Sequence, residues 1–163
     1  MEEEIRHWIQ QINDETILPS DIVAFNFGLF ESEEGYCIYL TGSKFYDESD
    51  DDWACDIDFE PNRKYLMLAS GSIQNMNWKQ ILYKVKNIIF NFITANAYKL
   101  PLFVGKIVTI GFDDGDLVRI QLMMTMFSFV NLFYNWIDKK YSFLPPLILG
   151  LFLVVFRLIC KSK

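Results

Sequence analysis

The sequence predicts an α+β fold: an antiparallel sheet of about five strands with two helices, followed by one or two hydrophobic C-terminal helices. Three features predict it: runs of alternating apolar residues that follow one another, two amphipathic stretches with helical spacing, and a C-terminal region almost free of charge. Consecutive strands with helices set between them are typical of α+β domains with antiparallel sheets. The predicted order is α-β-β-β-α-β-β.

The first predicted helix lies at the start of the chain. Ile5, Trp8, Ile9 and Ile12 follow the i, i+3, i+4, i+7 pattern of one helix face. The acidic residues 2–4 precede this face, where they interact favourably with the positive end of the helix dipole.

Three strands are predicted next. Residues 23–29 and 36–40 each alternate between apolar and other side chains, and a polar turn at residues 31–35 joins them. This pattern predicts an antiparallel hairpin. A third strand is predicted from Lys64 to Ala69, where Ser70-Gly71-Ser72 ends it.

The second half of this region predicts a helix and a second hairpin. Seven apolar residues at helical spacing between Trp78 and Ile93 predict a long amphipathic helix. Strands are expected at residues 104–110 and 116–120, because the Asp114-Gly115 pair between them is a strong hairpin signal.

Charge divides the chain into two predicted domains. Residues 1–119 contain 20 acidic and 10 basic residues, whereas residues 120–163 contain one acidic and five basic residues. An acidic domain disfavours binding to nucleic-acid phosphates. It favours a basic protein partner, because opposite charge accelerates encounter.

Residues 120–163 are predicted to be a membrane-type helix or helical hairpin. Residues 142–160 would rise about 28 Å as a helix, close to the thickness of the bilayer core. Residues 120–137 contain no charge, and their polar residues form one helical stripe that could face a partner helix in lipid. One or two membrane passes, or a fortuitous extension of the reading frame, all fit this composition.

The expected location of the N-terminal domain is the cytoplasm, with the chain held at the membrane. The first ten residues lack the basic and apolar regions of a secretory signal. Cys37, Cys55 and Cys160 show no regular spacing, which favours a reducing compartment over a disulfide framework.

No catalytic constellation is predicted, and neither is a cofactor. The single histidine, His7, has no second ligand at zinc spacing. A calcium loop counted from Asp47 would need glycine at its sixth position, where Asp52 stands. The sequence therefore predicts that the protein is not an enzyme, although a looser carboxylate site for a divalent ion remains an alternative.

Two acidic patches are the candidate partner-binding sites. Aromatic side chains interleaved with carboxylates suit a protein interface, since aromatics anchor it while charge steers the partner. Trp53 is either such an anchor or packed onto the sheet. The candidate residues are Asp51, Asp52, Trp53, Asp113, Asp114 and Asp116.

The segments DDWACDIDFEP (51–61), KYL (64–66) and GFDDGDLVRI (111–120) resemble small bacterial immunity-type proteins that accompany polymorphic toxins. The resemblance covers about residues 1–120, and the remaining residues depart from that pattern. It implies a compact acidic α+β protein that binds a cognate toxin and blocks it, through the six residues named above.

The first hypothesis is therefore a non-catalytic protein-binding module, neutralising a cognate toxin and anchored to the membrane by its C-terminal segment. The alternatives are a small membrane accessory subunit whose C-terminal segment performs the function, and a soluble protein with a fortuitous extension.

Overall fold

A five-stranded sheet packed against helices forms the computed structural model, which describes residues 1–17, 19–33 and 35–121. The sheet order is β3-β2-β1-β4-β5. The helices are α1 (Glu2–Glu15), α2 (Ser70–Ile73) and α3 (Trp78–Ala95), and the strands are β1 (Ala24–Ser32), β2 (Gly35–Ser43), β3 (Tyr65–Met67), β4 (Ile107–Phe112) and β5 (Val118–Arg119). The predicted α+β class is confirmed.

The sheet is mixed, and the prediction of an antiparallel sheet is wrong at its centre. β1 pairs antiparallel with β2 but parallel with β4, in a register that runs from Ala24 opposite Ile107 to Leu29 opposite Phe112. The other two pairings, β2 with β3 and β4 with β5, are antiparallel. Alternation of side chains is the same in both kinds of strand, so it does not reveal strand direction.

The described part of the chain contains three α-helices, where two were predicted. Ser70-Gly71-Ser72 was expected only to end the third strand, but these residues form α2, in which the Ser72 N–H donates to the Ala69 carbonyl at 2.8 Å. A helix of a single turn is too short for a periodic pattern to indicate it. β3 is correspondingly shorter than predicted.

α1 packs its apolar face into the core as its sequence pattern predicts. Ile5, Trp8, Ile9 and Ile12 are all buried, and each isoleucine contributes about 1.5–3 kcal/mol by leaving water. The Trp8 ring packs edge-on against Phe27 at 6.0 Å between centroids. Its indole N–H donates to a backbone carbonyl near β3 at 2.7 Å, so the ring both fills the core and satisfies its polar atom.

α3 confirms the second predicted helix and begins with a capping box. The Asn77 side chain accepts from the Gln80 N–H at 3.0 Å, and the Gln80 side chain accepts from the Asn77 N–H at 2.9 Å. These two bonds satisfy backbone donors that the helix itself leaves unpaired. Ile81, Val85 and other apolar residues of α3 point into the same core as α1.

The two faces of the sheet have different surroundings. Phe25 and Phe27 point toward the helices and contact the Phe103 ring at 5.3 and 5.9 Å. Because side chains alternate along a strand, Asn26 and Gly28 point to the opposite side, called the outer face below. All the described residues belong to one compact unit.

Of the predicted membrane segments, 120–137 and 142–160, only Ile120 and Gln121 lie within the described residues. Ile120 is buried, and its N–H donates to the Val108 carbonyl at 2.8 Å, so the sheet pairing continues past β5. None of the described helices combines the length and the apolar composition that crossing a bilayer requires.

We expect Asn77→Ala to lower the free energy of unfolding by about 1 kcal/mol, because it removes the N-cap acceptor of α3. Asn91→Ala is the matched control: Asn91 is exposed inside α3, where alanine has the higher helix propensity. Urea unfolding of the full chain in mild detergent, followed by tryptophan fluorescence, should give shifts of opposite sign. Shifts of the same sign and size would contradict the capping role.

Candidate protein-binding surface

An acidic loop, residues 44–60, leaves β2 and returns to pair with its end. Gly42 and Phe59 form a β-bridge, and the Phe59 and Asp58 N–H groups both donate to the Gly42 carbonyl at 3.0 Å. The Lys44 N–H donates to the Asp58 carboxylate at 2.8 Å. These hydrogen bonds therefore close the loop at its base.

Carboxylates inside the acidic loop fold its backbone into tight turns. The Asp50 side chain accepts from the Asp52 N–H at 3.0 Å and so caps a 3₁₀ helix at Asp51–Cys55. The Asp47 side chain accepts from the hydroxyl and the N–H of Ser49, and these bonds lower the pKa of Asp47. Such local side-chain bonds are typical of aspartate in turns.

Trp53 is buried, with only 3% of its surface exposed. Of the two alternatives that the sequence left open, the structure shows the packed one rather than the exposed anchor. Its ring lies edge-on to Tyr46 at 5.2 Å, and the Arg119 guanidinium lies 5.8 Å from the Tyr46 ring. The 3₁₀ helix contacts β2, so Trp53 holds the acidic loop against the sheet. Its indole N–H has no partner among the described residues.

The structure brings the two predicted acidic patches together. The Leu117 N–H, just before β5, donates to the Asp51 carboxylate at 2.8 Å, across 66 positions of sequence. Arg119 lies 3.3 Å from the Glu48 carboxylate. These contacts join the acidic loop to the hairpin of β4 and β5, so patches that are separate in the sequence form one surface.

Asp113 is fixed by a bond to the middle of the sheet. The Tyr39 hydroxyl donates to the Asp113 carboxylate at 2.6 Å. Burial of the phenol, and then this hydrogen bond, raise the pKa of Tyr39 above its ordinary value. Tyr39 is therefore a neutral donor at physiological pH and holds the β4–β5 turn in place.

Two glycines make room for this arrangement. Tyr39, Gly28 and Gly111 lie side by side on β2, β1 and β4. A Cβ atom on Gly28 would lie 1.9 Å from Cζ of the Tyr39 ring, and one on Gly111 would lie 2.7 Å from Cδ2 of Leu117. The missing side chains thus leave a depression in the outer face that accommodates Tyr39 and Leu117.

An outer aromatic cluster, Phe30, Tyr39 and Tyr65, lies beside the acidic residues. Its three ring centroids are 6.2–6.3 Å apart. The Lys64 ammonium lies 5.6 Å from the Tyr39 ring and 5.2 Å from the Tyr65 ring, and it pairs with Glu60, whose hydrogen bond raises the pKa of Lys64. Tyr65 keeps 57% of its surface exposed.

The exposed members of this surface differ partly from the predicted set. The five predicted carboxylates, Asp51, Asp52, Asp113, Asp114 and Asp116, are all exposed. The exposed apolar side chains nearby were not predicted as sites; they are Phe45, Ile57, Tyr65 and Met67. Alternation along residues 64–69 could have indicated that Tyr65 and Met67 share one strand face, but no local signal distinguishes Phe45 or Ile57.

Other kinds of site find little support in the described ranges. No group of histidine, cysteine, aspartate and glutamate side chains in residues 1–17, 19–33 and 35–121 has metal-binding geometry. His7 lines an open groove of about 450 Å³ between α1 and β3, together with Glu4 and Arg63. Burial raises the pKa of the Cys37 thiol, so this side chain is not an activated nucleophile.

Comparison of the chain with protein-family models, curated proteins and solved structures gives no match. Any functional interpretation of the candidate surface therefore depends on its geometry alone.

We expect Gly28→Ala to destabilise the domain by about 1–3 kcal/mol, because the new methyl group overlaps the Tyr39 ring. Gly71→Ala is the control, since a Cβ there has no neighbour within 4 Å and α2 favours alanine. Urea unfolding should show a loss for the first variant and none for the second. Equal stabilities would mean that Tyr39 does not occupy the depression.

We expect Asp113→Asn to move the pKa of Tyr39 down toward its ordinary value of about 10, since the charged acceptor that favours the protonated phenol is removed. In the parent protein this bond stabilises the fold fully below about pH 10, and its contribution is lost as pH rises through the raised pKa. NMR titration of the Tyr39 ring carbon measures the pKa. Asp116→Asn serves as control, and an identical titration curve in both variants would exclude the bond.

Proposed function

We propose that this chain is a non-catalytic protein-binding module that neutralises a basic, toxin-like partner, and that its C-terminal segment attaches it to a membrane. The observation behind the proposal is the grouping of five exposed carboxylates beside an aromatic cluster whose Tyr65 ring is exposed. This combination gives a partner both an apolar anchor and a charged rim.

The outer aromatic cluster supplies the anchor. Tyr65 and Met67 expose 57% and 42% of their surfaces on the edge strand β3. Large aromatic side chains contribute most of the energy in many protein interfaces, because they bury much surface and lose little conformational freedom. Tyr65 is already held by two ring contacts, so little further ordering is needed on binding.

The carboxylates supply the charge complementarity. The carboxylates of Asp52, Asp114 and Asp116 have no hydrogen-bond or ion-pair partner among the described residues, so their charges are available to a partner. The neighbouring bases are already neutralised, because Lys64 pairs with Glu60 and Arg119 with Glu48. A surface with net negative charge attracts a basic protein and accelerates its encounter. This contribution weakens with salt, since exposed charges are screened.

The composition of residues 120–163 supports the membrane attachment. This segment contains one acidic residue and two long apolar stretches, each close to the length of a bilayer-spanning helix. The acidic domain would then be tethered on the cytoplasmic side, where a toxin-like protein acting at or across the membrane would meet it.

The test compares the affinity of full-length variants for a purified basic candidate partner, the protein encoded beside the gene of this chain. We expect Asp52→Asn/Asp114→Asn/Asp116→Asn to weaken binding roughly tenfold at low salt, because three exposed charge pairs are lost. None of the three side chains has a described partner, so the fold should persist.

The control, Glu2→Gln/Glu3→Gln/Asp14→Asn, removes the same charge from exposed positions of α1. It should bind within about twofold of the parent chain, because α1 packs on the side of the sheet that carries Phe27, opposite the outer face. Equal losses of affinity in both variants would show that only net charge affects binding and would exclude the outer face as the binding surface. Calorimetry at two salt concentrations measures the affinities of both variants.

A further inference from the structure

The middle of the chain has the opposite charge pattern from the rest of the domain. Residues 65–112 contain no aspartate or glutamate. The basic residues of this region are Lys79, Lys84, Lys86, Lys99 and Lys106. Part of this domain is therefore basic, although the whole chain has a net charge of −6.

These lysines also differ from the other bases in their partners. Each of the remaining bases of the described domain lies within 4 Å of a carboxylate; they are Arg6, Lys44, Arg63, Lys64 and Arg119. Among residues 1–17, 19–33 and 35–121, no carboxylate forms an ion pair with any of the five lysines of residues 65–112. Lys84 and Lys106 donate to the backbone carbonyls of Ser72 and Ile22, whereas the charges of Lys79, Lys86 and Lys99 are available to an external anion.

Two of these lysines lie in one stripe on α3. Lys79, Tyr83, Lys86 and Phe90 are spaced by four, three and four residues, so they follow one side of the helix over about 16 Å. We call these four residues the α3 stripe. The buried residues of α3 point to the core, so the stripe lies on the helix side of the sheet, away from the outer face.

The α3 stripe combines its charges with exposed aromatic rings. Tyr83 exposes 65% of its surface, and Trp78 at the start of the helix exposes 52%. The Lys79 ammonium lies 5.2 Å from the Trp78 ring, and the Lys86 ammonium lies 5.9 Å from the Tyr83 ring. Tryptophan and tyrosine prefer the headgroup region of a bilayer, and nearby lysines favour anionic lipids.

We propose that the α3 stripe, together with Trp78, binds the anionic surface of a lipid bilayer. The lysine ammonium groups would contact phosphate or carboxylate groups of the lipids, while the Trp78 and Tyr83 rings lie among the headgroups. The outer face with its carboxylates would then point away from the bilayer and remain open to a protein partner.

The charges favour a bilayer over a nucleic acid. A long flexible polyanion would approach the acidic residues on the other surfaces of this domain and be repelled by them. A bilayer presents its charge in one plane and contacts only the side that carries the lysines. The basic residues of this region are lysines, which lack the planar guanidinium that recognises nucleobases. The hydrophobic residues 120–163 are suited to the same bilayer.

The proposal can be tested on the full chain by lysine acetylation and mass spectrometry. The chain is reconstituted into lipid nanodiscs that are either neutral or contain phosphatidylserine. We expect Lys79 and Lys86 to react about fivefold more slowly in the anionic discs, since each basic residue gains about that factor from an anionic surface. The difference should disappear at high salt. Lys44, paired with Asp21, is the internal control and should react at one rate throughout.

Lys79→Gln/Lys86→Gln provides a second measurement, with Tyr83 as the reporter. In anionic discs, quenching of a fluorinated tyrosine at position 83 by spin-labelled lipid should fall in this variant and stay unchanged in Lys44→Gln. Equal acetylation of Lys79 and Lys86 in both kinds of disc would overturn the proposal. So would protection by a single-stranded oligonucleotide but not by anionic lipid.

The outcome is independent of the proposed membrane attachment. If residues 120–163 do not insert, the chain will not co-purify with neutral discs, and that result concerns the attachment alone. Anionic vesicles added to the free chain would then replace the discs, and the same lysines should be protected.

Discussion

The parallel pairing of β1 with β4 is the constraint on which the rest of the structure depends. It places the C-terminal end of β4, and therefore the acidic turn that follows, beside the C-terminal end of β1. Only this register brings Gly28 beside Gly111, so that Tyr39 can lie across the strands and bind Asp113.

The acidic loop has a structural role besides its charge. On the outer face, the Thr109 hydroxyl donates to the Asn26 side chain at 3.0 Å, and both residues are buried. Polar side chains on a sheet face are buried only when something covers them, and each must then find a hydrogen-bond partner. The 3₁₀ helix of the loop contacts β2, where Thr41 lies opposite Asn26, and Arg119 of β5 lies opposite Thr109. The sheet thus has an apolar core on one side, and a buried polar pair lies on the other side beside the outer aromatic cluster.

The sequence predicted the parts of the fold that depend on local periodicity. α1, α3 and the hairpin of β1 and β2 follow from spacings within a few residues. Strand direction, the bond between Asp51 and Leu117, and the burial of Trp53 depend on contacts between distant segments, which no local pattern encodes. The carboxylates of the candidate site were predicted because charge shows in composition. Its apolar members were not, because exposure is a property of packing.

The strands at the two margins of the sheet are very short. β3 has three residues and β5 has two, so another molecule finds few free backbone groups with which to pair. Long, flat margins allow sheets of neighbouring molecules to join into aggregates. A high local concentration of this domain would therefore leave its copies as separate particles, without fibril growth.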